Sequence, residues 1–237
     1  MCTLKVKYNI MKKLSLLLLL ALPTLLFTQM ANAQRTIMLG RDGVPLANKD
    51  YTDVVGSPYL NKEWGDGTVL LENGESLKDL KLKYNVMENI LSFTDKPDGS
   101  EYGFKEPIKE FTITYNDEDQ SVTKRFRSGY NGIYKTTPKS FFEVVADGKT
   151  QLLKRNNMGI VMSTVYNSAS VTKNFKDDYN YYLVIDGAAQ PIKNDPKAII
   201  AKLPEAQQAK LTEYVKTKKL KKADADLAEL INYYNTL

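Results

Sequence analysis

Strict two-residue alternation of apolar and polar side chains is the feature that most narrows what this 237-residue chain can fold into. Leu80, Leu82, Tyr84 and Val86 alternate with Lys81, Lys83 and Asn85, and Phe111, Ile113 and Tyr115 alternate with Glu110, Thr112 and Thr114. Successive side chains of a strand point to opposite faces, so this period predicts strands with one face buried and one in water. Val122, Lys124 and Phe126 repeat the pattern after the polar stretch Asn116–Gln120, which predicts a hairpin. Asn73-Gly74, Asp147-Gly148 and Asp186-Gly187 each lie at the end of such a run. These dipeptides tolerate positive φ at both central positions, as tight hairpins require. Strands at short spacing joined in this way predict an α+β protein built on an antiparallel β-meander, curved or barrel-like.

The period changes near residue 194. Asp195 before Pro196 makes an N-cap with proline at the first helical position, and Ile199, Ile200 and Leu203 follow. A second helix is expected from Pro204 to about Lys219, with Leu211, Tyr214 and Val215 on one face. In a third, begun at Asp224, Leu227, Leu230, Ile231 and Tyr234 fall at i, i+3, i+4 and i+7. Residues 66–192 are therefore expected to form the antiparallel β domain, and 193–237 a helical segment packed on it in the same domain. Residues 34–65, rich in glycine and proline, are expected as a lead-in crossing the surface. Ser163–Asp178, with Asn167, Ser168 and Ser170, has the composition of a long loop.

Residues 1–33 have the three parts of a secretory signal peptide in order. Lys12 and Lys13 follow Met11, the expected initiator; Leu14–Phe27 is an apolar run; Ala31-Asn32-Ala33 fits a signal peptidase, giving cleavage before Gln34. The run is 14 residues long, short of the ~20 that a membrane-spanning helix needs. The lone cysteine, Cys2, precedes it, whereas lipidation needs one just after. Cleavage would remove four lysines and no acid, leaving 29 basic residues against 28 acidic ones, a net charge of +1. A nucleic-acid partner, which needs a basic footprint, thereby loses its support. With no histidine anywhere and no cysteine after residue 33, Ser-His-Asp and Cys-His nucleophiles are excluded, and zinc loses both preferred ligand types. No cofactor motif is present: neither G-x-x-x-x-G-K-[ST], nor G-x-G-x-x-G opening a helix, nor G-x-S-x-G occurs.

Chemistry must then come from carboxylates, Lys, Tyr, Ser/Thr or backbone. The acidic tip Asn116–Gln120 offers clustered oxygens to calcium but lacks the spacing, central glycine and distal glutamate of an EF-hand loop, so a solvated turn is the preferred reading. Glu101, Glu106, Glu110 and Glu143 are acids of the type glycoside hydrolysis uses, though no spacing pairs any two of them. The basic run Lys216–Lys222 sits at a helix C-terminus, where cations are stabilised. The 15 tyrosines are the most distinctive enrichment. Tyr179, Tyr181 and Tyr182, with the only tryptophan, Trp64, are the candidate binding aromatics. Half-buried strand faces favour the same residues, and Trp64 also suits an anchor for the lead-in.

Pro58-Tyr59-Leu60-Asn61-Lys62-Glu63-Trp64, Gly67-Thr68-Val69-Leu70-Leu71 and Leu82-Lys83-Tyr84-Asn85-Val86 carry a further likeness. In these stretches the chain resembles a group of small exported Bacteroidota proteins that pair a β-rich body with a C-terminal helical tail. The tail ends in an Asn-Tyr-Tyr-like element, here Asn232-Tyr233-Tyr234-Asn235. The resemblance implies a Gram-negative envelope and a periplasmic or outer-membrane-facing location. The group has no established activity, so no residue role comes with it. The expected function is non-enzymatic binding of an envelope protein or surface component, without a transmembrane span after the leader. Two alternatives stand beside it: a carboxylate-based glycan hydrolase, and a carrier of a lipid or apolar ligand among Leu82, Tyr84, Phe111 and Ile113.

Overall fold

The computed structural model describes residues 43–46, 51–94, 100–118, 120–164 and 171–237, all within one unit, Ile37–Leu237. The leader expected at 1–33 lies outside them. Among the described residues the strands are β1 Gly43–Pro45, β2 Val54–Val55, β3 Gly65–Leu71, β4 Ser76–Asn85, β5 Ile90–Thr94 and β6 Tyr102–Phe104. There follow β7 Ile108–Asp117, β8 Gln120–Arg127, β9 Phe142–Ala146, β10 Thr150–Thr164, β11 Val171–Ile185 and β12 Ala188–Ile192. Helices α1 Pro196–Ile200, α2 Glu205–Lys218 and α3 Asp224–Tyr234 complete the chain.

The strands form one sheet in the order β1-β6-β5-β4-β3-β7-β8-β9-β10-β11-β12, with β2 paired to β11. Every pairing is antiparallel except β2 with β11, and the sheet is not closed: β1 and β12 are its ends. Two sequential meanders, β3 to β6 and β7 to β12, lie back to back along the β3–β7 pair. The alternating run lies on β4 from Leu80 to Asn85, with Val86 just beyond its end, and 110–115 lies on β7, as its period requires. The three C-terminal helices fall where the sequence places them. Asp195 caps α1 by accepting from Lys197 N at 2.9 Å, and α2 stops at Lys219 in the left-handed conformation.

Three expectations need correcting. The lead-in does more than cross the surface, because Gly43–Pro45 becomes an edge strand on β6 and Val54–Val55 pairs with Lys173 and Asn174. Ser163–Asp178 is not a long loop. Its described residues continue a hairpin of two 15-residue strands in unbroken register, from Thr150↔Ile185 to Thr164↔Val171; Asn167, Ser168 and Ser170 lie outside the described residues. Positive φ at both central turn positions holds only for Asp186 (49°) and Gly187 (80°), which join the paired ends Ile185 and Ala188 in a two-residue loop. At the other two turns the glycine alone takes it.

Side chains collect into three apolar clusters. The first joins Val69, Leu82, Tyr84, Phe93, Phe111, Ile113 and Phe126 with Phe141. The Phe111 and Phe126 rings stack at 4.8 Å, and Tyr84 meets Phe111 edge-on at 5.4 Å. The second lies where Leu152, Tyr181 and Leu183 meet Ile199, Leu211, Leu227, Leu230 and Ile231 of the helices. The third, on the other face of the same strands, joins Phe142, Val144, Leu153, Tyr182 and Val184 to Ile133. Each large side chain buried in this way is worth roughly 1.5–3 kcal/mol.

Candidate functional site

Strand β10 carries the first unusual feature. Along one face, Leu152 enters the second cluster and Met158 packs on the first, while Lys154 and Asn156 between them are polar and buried, at 8% and 9% exposure. Cross-strand register sets Glu143, Lys154 and Tyr181 in a row over β9, β10 and β11, and places Asn156 opposite Tyr179. A polar seam therefore runs between two apolar cores.

Buried charge is tolerated only when paired and hydrogen-bonded, and the seam meets that demand. Lys154 Nζ lies 2.7 Å from Asp224 Oδ2 in the first turn of α3, and the Tyr181 hydroxyl donates to Asp224 Oδ1 at 2.7 Å. Burial pushes the Asp224 carboxyl upward, but the Lys154 and Tyr181 hydrogen bonds outweigh it and hold the group below 3.8. The Tyr181 phenol moves the opposite way, raised by burial and then by the carboxylate it serves. One layer along, Glu143 receives Lys124 Nζ at 3.0 Å and Asn156 Nδ2 at 3.0 Å. Asn156 Oδ1 is left as a buried acceptor without a hydrogen-bond partner among the described residues.

The seam opens to solvent at Tyr179, which is 47% exposed and whose ring covers Lys154 Nζ at 4.3 Å. Burial first, and then Asp177 beside it, raise the Tyr179 phenol. A groove of about 960 Å3 begins here. Its walls are Asp177–Tyr182 of β11, the end of β12 and the chain beyond it from Pro191 to Asp195, and Lys197 and Lys222. Lys222 reaches Asp195 at 3.5 Å across one end.

The structure brings two of the four sequence candidates together on one face. Tyr179 presents its ring to the groove and Tyr181 anchors the seam beneath it. Tyr182 turns to the opposite face, where its ring meets Phe142 edge-on at 5.8 Å within the third cluster. Trp64 stands apart, just before β3, with four strands between β3 and β11. Its ring and that of Tyr59 both take Lys83 Nζ, at 5.5 and 4.8 Å. The Tyr59 hydroxyl donates to Glu101 at 3.2 Å, and burial followed by Glu101 raises that phenol to about 12.

Glu110 and Asp147 have a partner of their own. Arg127 Nε holds Glu110 at 2.6 Å and its terminal nitrogens hold Asp147, which drives Asp147 down to about 2. Glu106 is exposed. The acidic tip joins β7 to β8, with Asp119 outside the described residues. Among the described residues no group of three or more carboxylates is placed to hold a metal ion, and no helix is long and apolar enough to cross a membrane. Leu82, Tyr84, Phe111 and Ile113 are packed against one another and their neighbouring rings.

Sequence reasoning missed Lys154, Asn156 and Asp224. Their only signal is faint: Lys154 and Asn156 occupy positions of a strand whose same-face neighbours are apolar, and Asp224 sits 70 residues from its partner. Compared with protein-family models, characterised proteins and solved structures, the chain matches none.

Proposed function

We propose that this is an exported cell-envelope protein, akin to the small Bacteroidota proteins it resembles, that binds another protein or a surface component without catalysing a reaction. The observation that carries the reading is Tyr179, an exposed aromatic held over a buried, ion-paired lysine at the mouth of an open groove. A ring fixed in place offers contact area at little entropic cost, and aromatic residues are enriched in interfaces for that reason. The ion pair beneath it keeps the platform rigid. Of the four carboxylates expected to do hydrolytic work, Glu110, Glu143 and Glu101 are engaged instead with Arg127, Lys124 and Tyr59, and Glu106 stands exposed. Residues 1–33 supply the export route, and the envelope side of the membrane is where the folded part would act. A curved sheet belongs to the same reading. Tyr59 bridges to Asn85 of β4 while Val54 pairs with Lys173 of β11, so one short segment ties both strands.

The test places a photo-crosslinking residue at position 179, and at exposed Lys78 as a control, in the protein expressed with its leader in a Bacteroidota host. A discrete adduct formed from 179 and lost from 78 supports the reading. Turnover of a defined glycan by the purified protein, abolished by Glu143→Gln, would overturn it.

A further inference from the structure

β11 is paired along its whole length on one side, by β10. On its other side β2 covers Lys173 and Asn174, and β12 covers Tyr181–Ile185. Between them, Phe175–Asn180 have no strand partner among the described residues. Six residues at ~3.4 Å each span about 20 Å of backbone without a strand partner, the length of an average strand, with Gly56 packed against Phe175 at the end nearest β2. The groove described above lies at one end of this gap, where β12 stops and β11 runs on.

Open edges recruit strands, and native proteins guard them with charge. Here the guard is an acidic pair at the centre, with exposed Lys176 beside it. Asp177 and Asp178 are adjacent and exposed, one on each face, and no ion pair among the described residues uses either carboxylate. A second copy pairing antiparallel over the whole gap would set Asp177 opposite Asp178 twice, and like charges directly opposite are destabilising. A strand with basic residues at those two positions finds opposite charge on both faces and a full set of backbone partners.

We infer that the β11 edge between β2 and β12 binds an extended, basic segment of a partner protein by strand addition, with two adjacent Lys or Arg residues opposite Asp177 and Asp178. This deepens the binding reading above and rests on it. Main-chain hydrogen bonds supply the affinity, and the two acids supply the selection.

The experiment titrates the folded protein at low salt with Thr-Val-Lys-Arg-Val-Thr and with Thr-Val-Glu-Glu-Val-Thr, and follows amide hydrogen exchange. The basic peptide is expected to bind at least about tenfold tighter, from two attractive pairs against two repulsive ones, and to slow exchange within residues 175–180. Asp177→Lys/Asp178→Lys should reverse the preference. Both sites are exposed, so circular dichroism should be unchanged, and Asp177→Asn/Asp178→Asn serves as a milder variant that levels the two affinities. Equal binding of both peptides, no binding at millimolar concentration, protection elsewhere than 175–180, or self-association through this edge would each overturn the inference. A crosslinked partner at position 179 together with any of these outcomes leaves the binding reading standing and removes only the strand-addition mode.

Discussion

Lys154 Nζ lies 2.7 Å from Asp224 Oδ2, and that contact ties the sheet's longest hairpin to the first turn of α3. The lysine is nearly enclosed, whereas the aspartate side chain keeps 33% of its surface. Losing one partner of such a pair is therefore not the same as losing the other.

Asp224→Ala should cost about 2–3 kcal/mol, because it strands a charge inside the protein. Lys154→Met should cost about 1 kcal/mol or less, since the apolar replacement fits between the two cores and Asp224 retains solvent and Tyr181. Urea midpoints at constant slope measure both. Equal losses would mean that the pair acts as a surface contact.

Acid should weaken the fold through Asp147. Its folded value lies near 2, below the ordinary 3.8, because Arg127 hydrogen-bonds the charged form. A depressed carboxylate contributes stability that is present above the ordinary value and is lost as pH falls through the folded one. The wild type should therefore lose stability steadily between about pH 5 and 2, and Asp147→Asn should flatten that stretch of the curve. Asp224 adds to the slope in the same direction. Urea midpoints taken across this pH range provide the measurement.

Gly67 sits on β3 opposite Ile113 of β7. A Cβ there would stand 2.2 Å from the Thr112 carbonyl oxygen and 2.5 Å from Leu82 Cδ1. Gly67→Ala must part the two meanders along their joint, and loss of the cooperative unfolding transition is expected. Gly159→Ala is the matched control. Nothing lies within 4 Å of its Cβ position, so it should be neutral or stabilise by up to about 1 kcal/mol.

Asn235 behaves as a one-residue strand. Its side chain accepts from Thr150 N at 3.0 Å and donates to Thr150 O at 2.8 Å, pairing with backbone that is only 2% exposed. Asn235→Ala should cost about 2 kcal/mol by orphaning both groups, and the amide of Thr150 should exchange measurably faster.

Much of this architecture is written in local pattern. Alternation marks β4 and β7 because one face of each is buried, and the stripe at Leu227, Leu230 and Ile231 marks α3 because a single core receives it. The distal half of the β10–β11 hairpin carries no such mark. Ser163, Thr164, Lys176, Asp178 and Asn180 are exposed on a ribbon with little packed against it, so polar residues occur without period. The edge strands β1 and β2, of three and two residues, are too short to show a period at all. At the candidate site, the tyrosines stand out by clustering. Lys154 and Asp224 do not, since their meeting depends on how α3 lands on the sheet, and spacing along the chain says nothing about that.

The buried residues of the two large cores are also consecutive in the chain, Met158 being the one later side chain packed on the first: the first runs from Val69 to Phe141, the second from Ala146 to Ile231. A polypeptide delivered N-terminus first, from a ribosome or a translocation pore, can complete the first core while the second half is still in transit. Strands β9 to β12 must then wait with one apolar face bare until the helices arrive. If the chain is exported, as proposed above, that interval is the window in which periplasmic chaperones would find it and proteases would cut it.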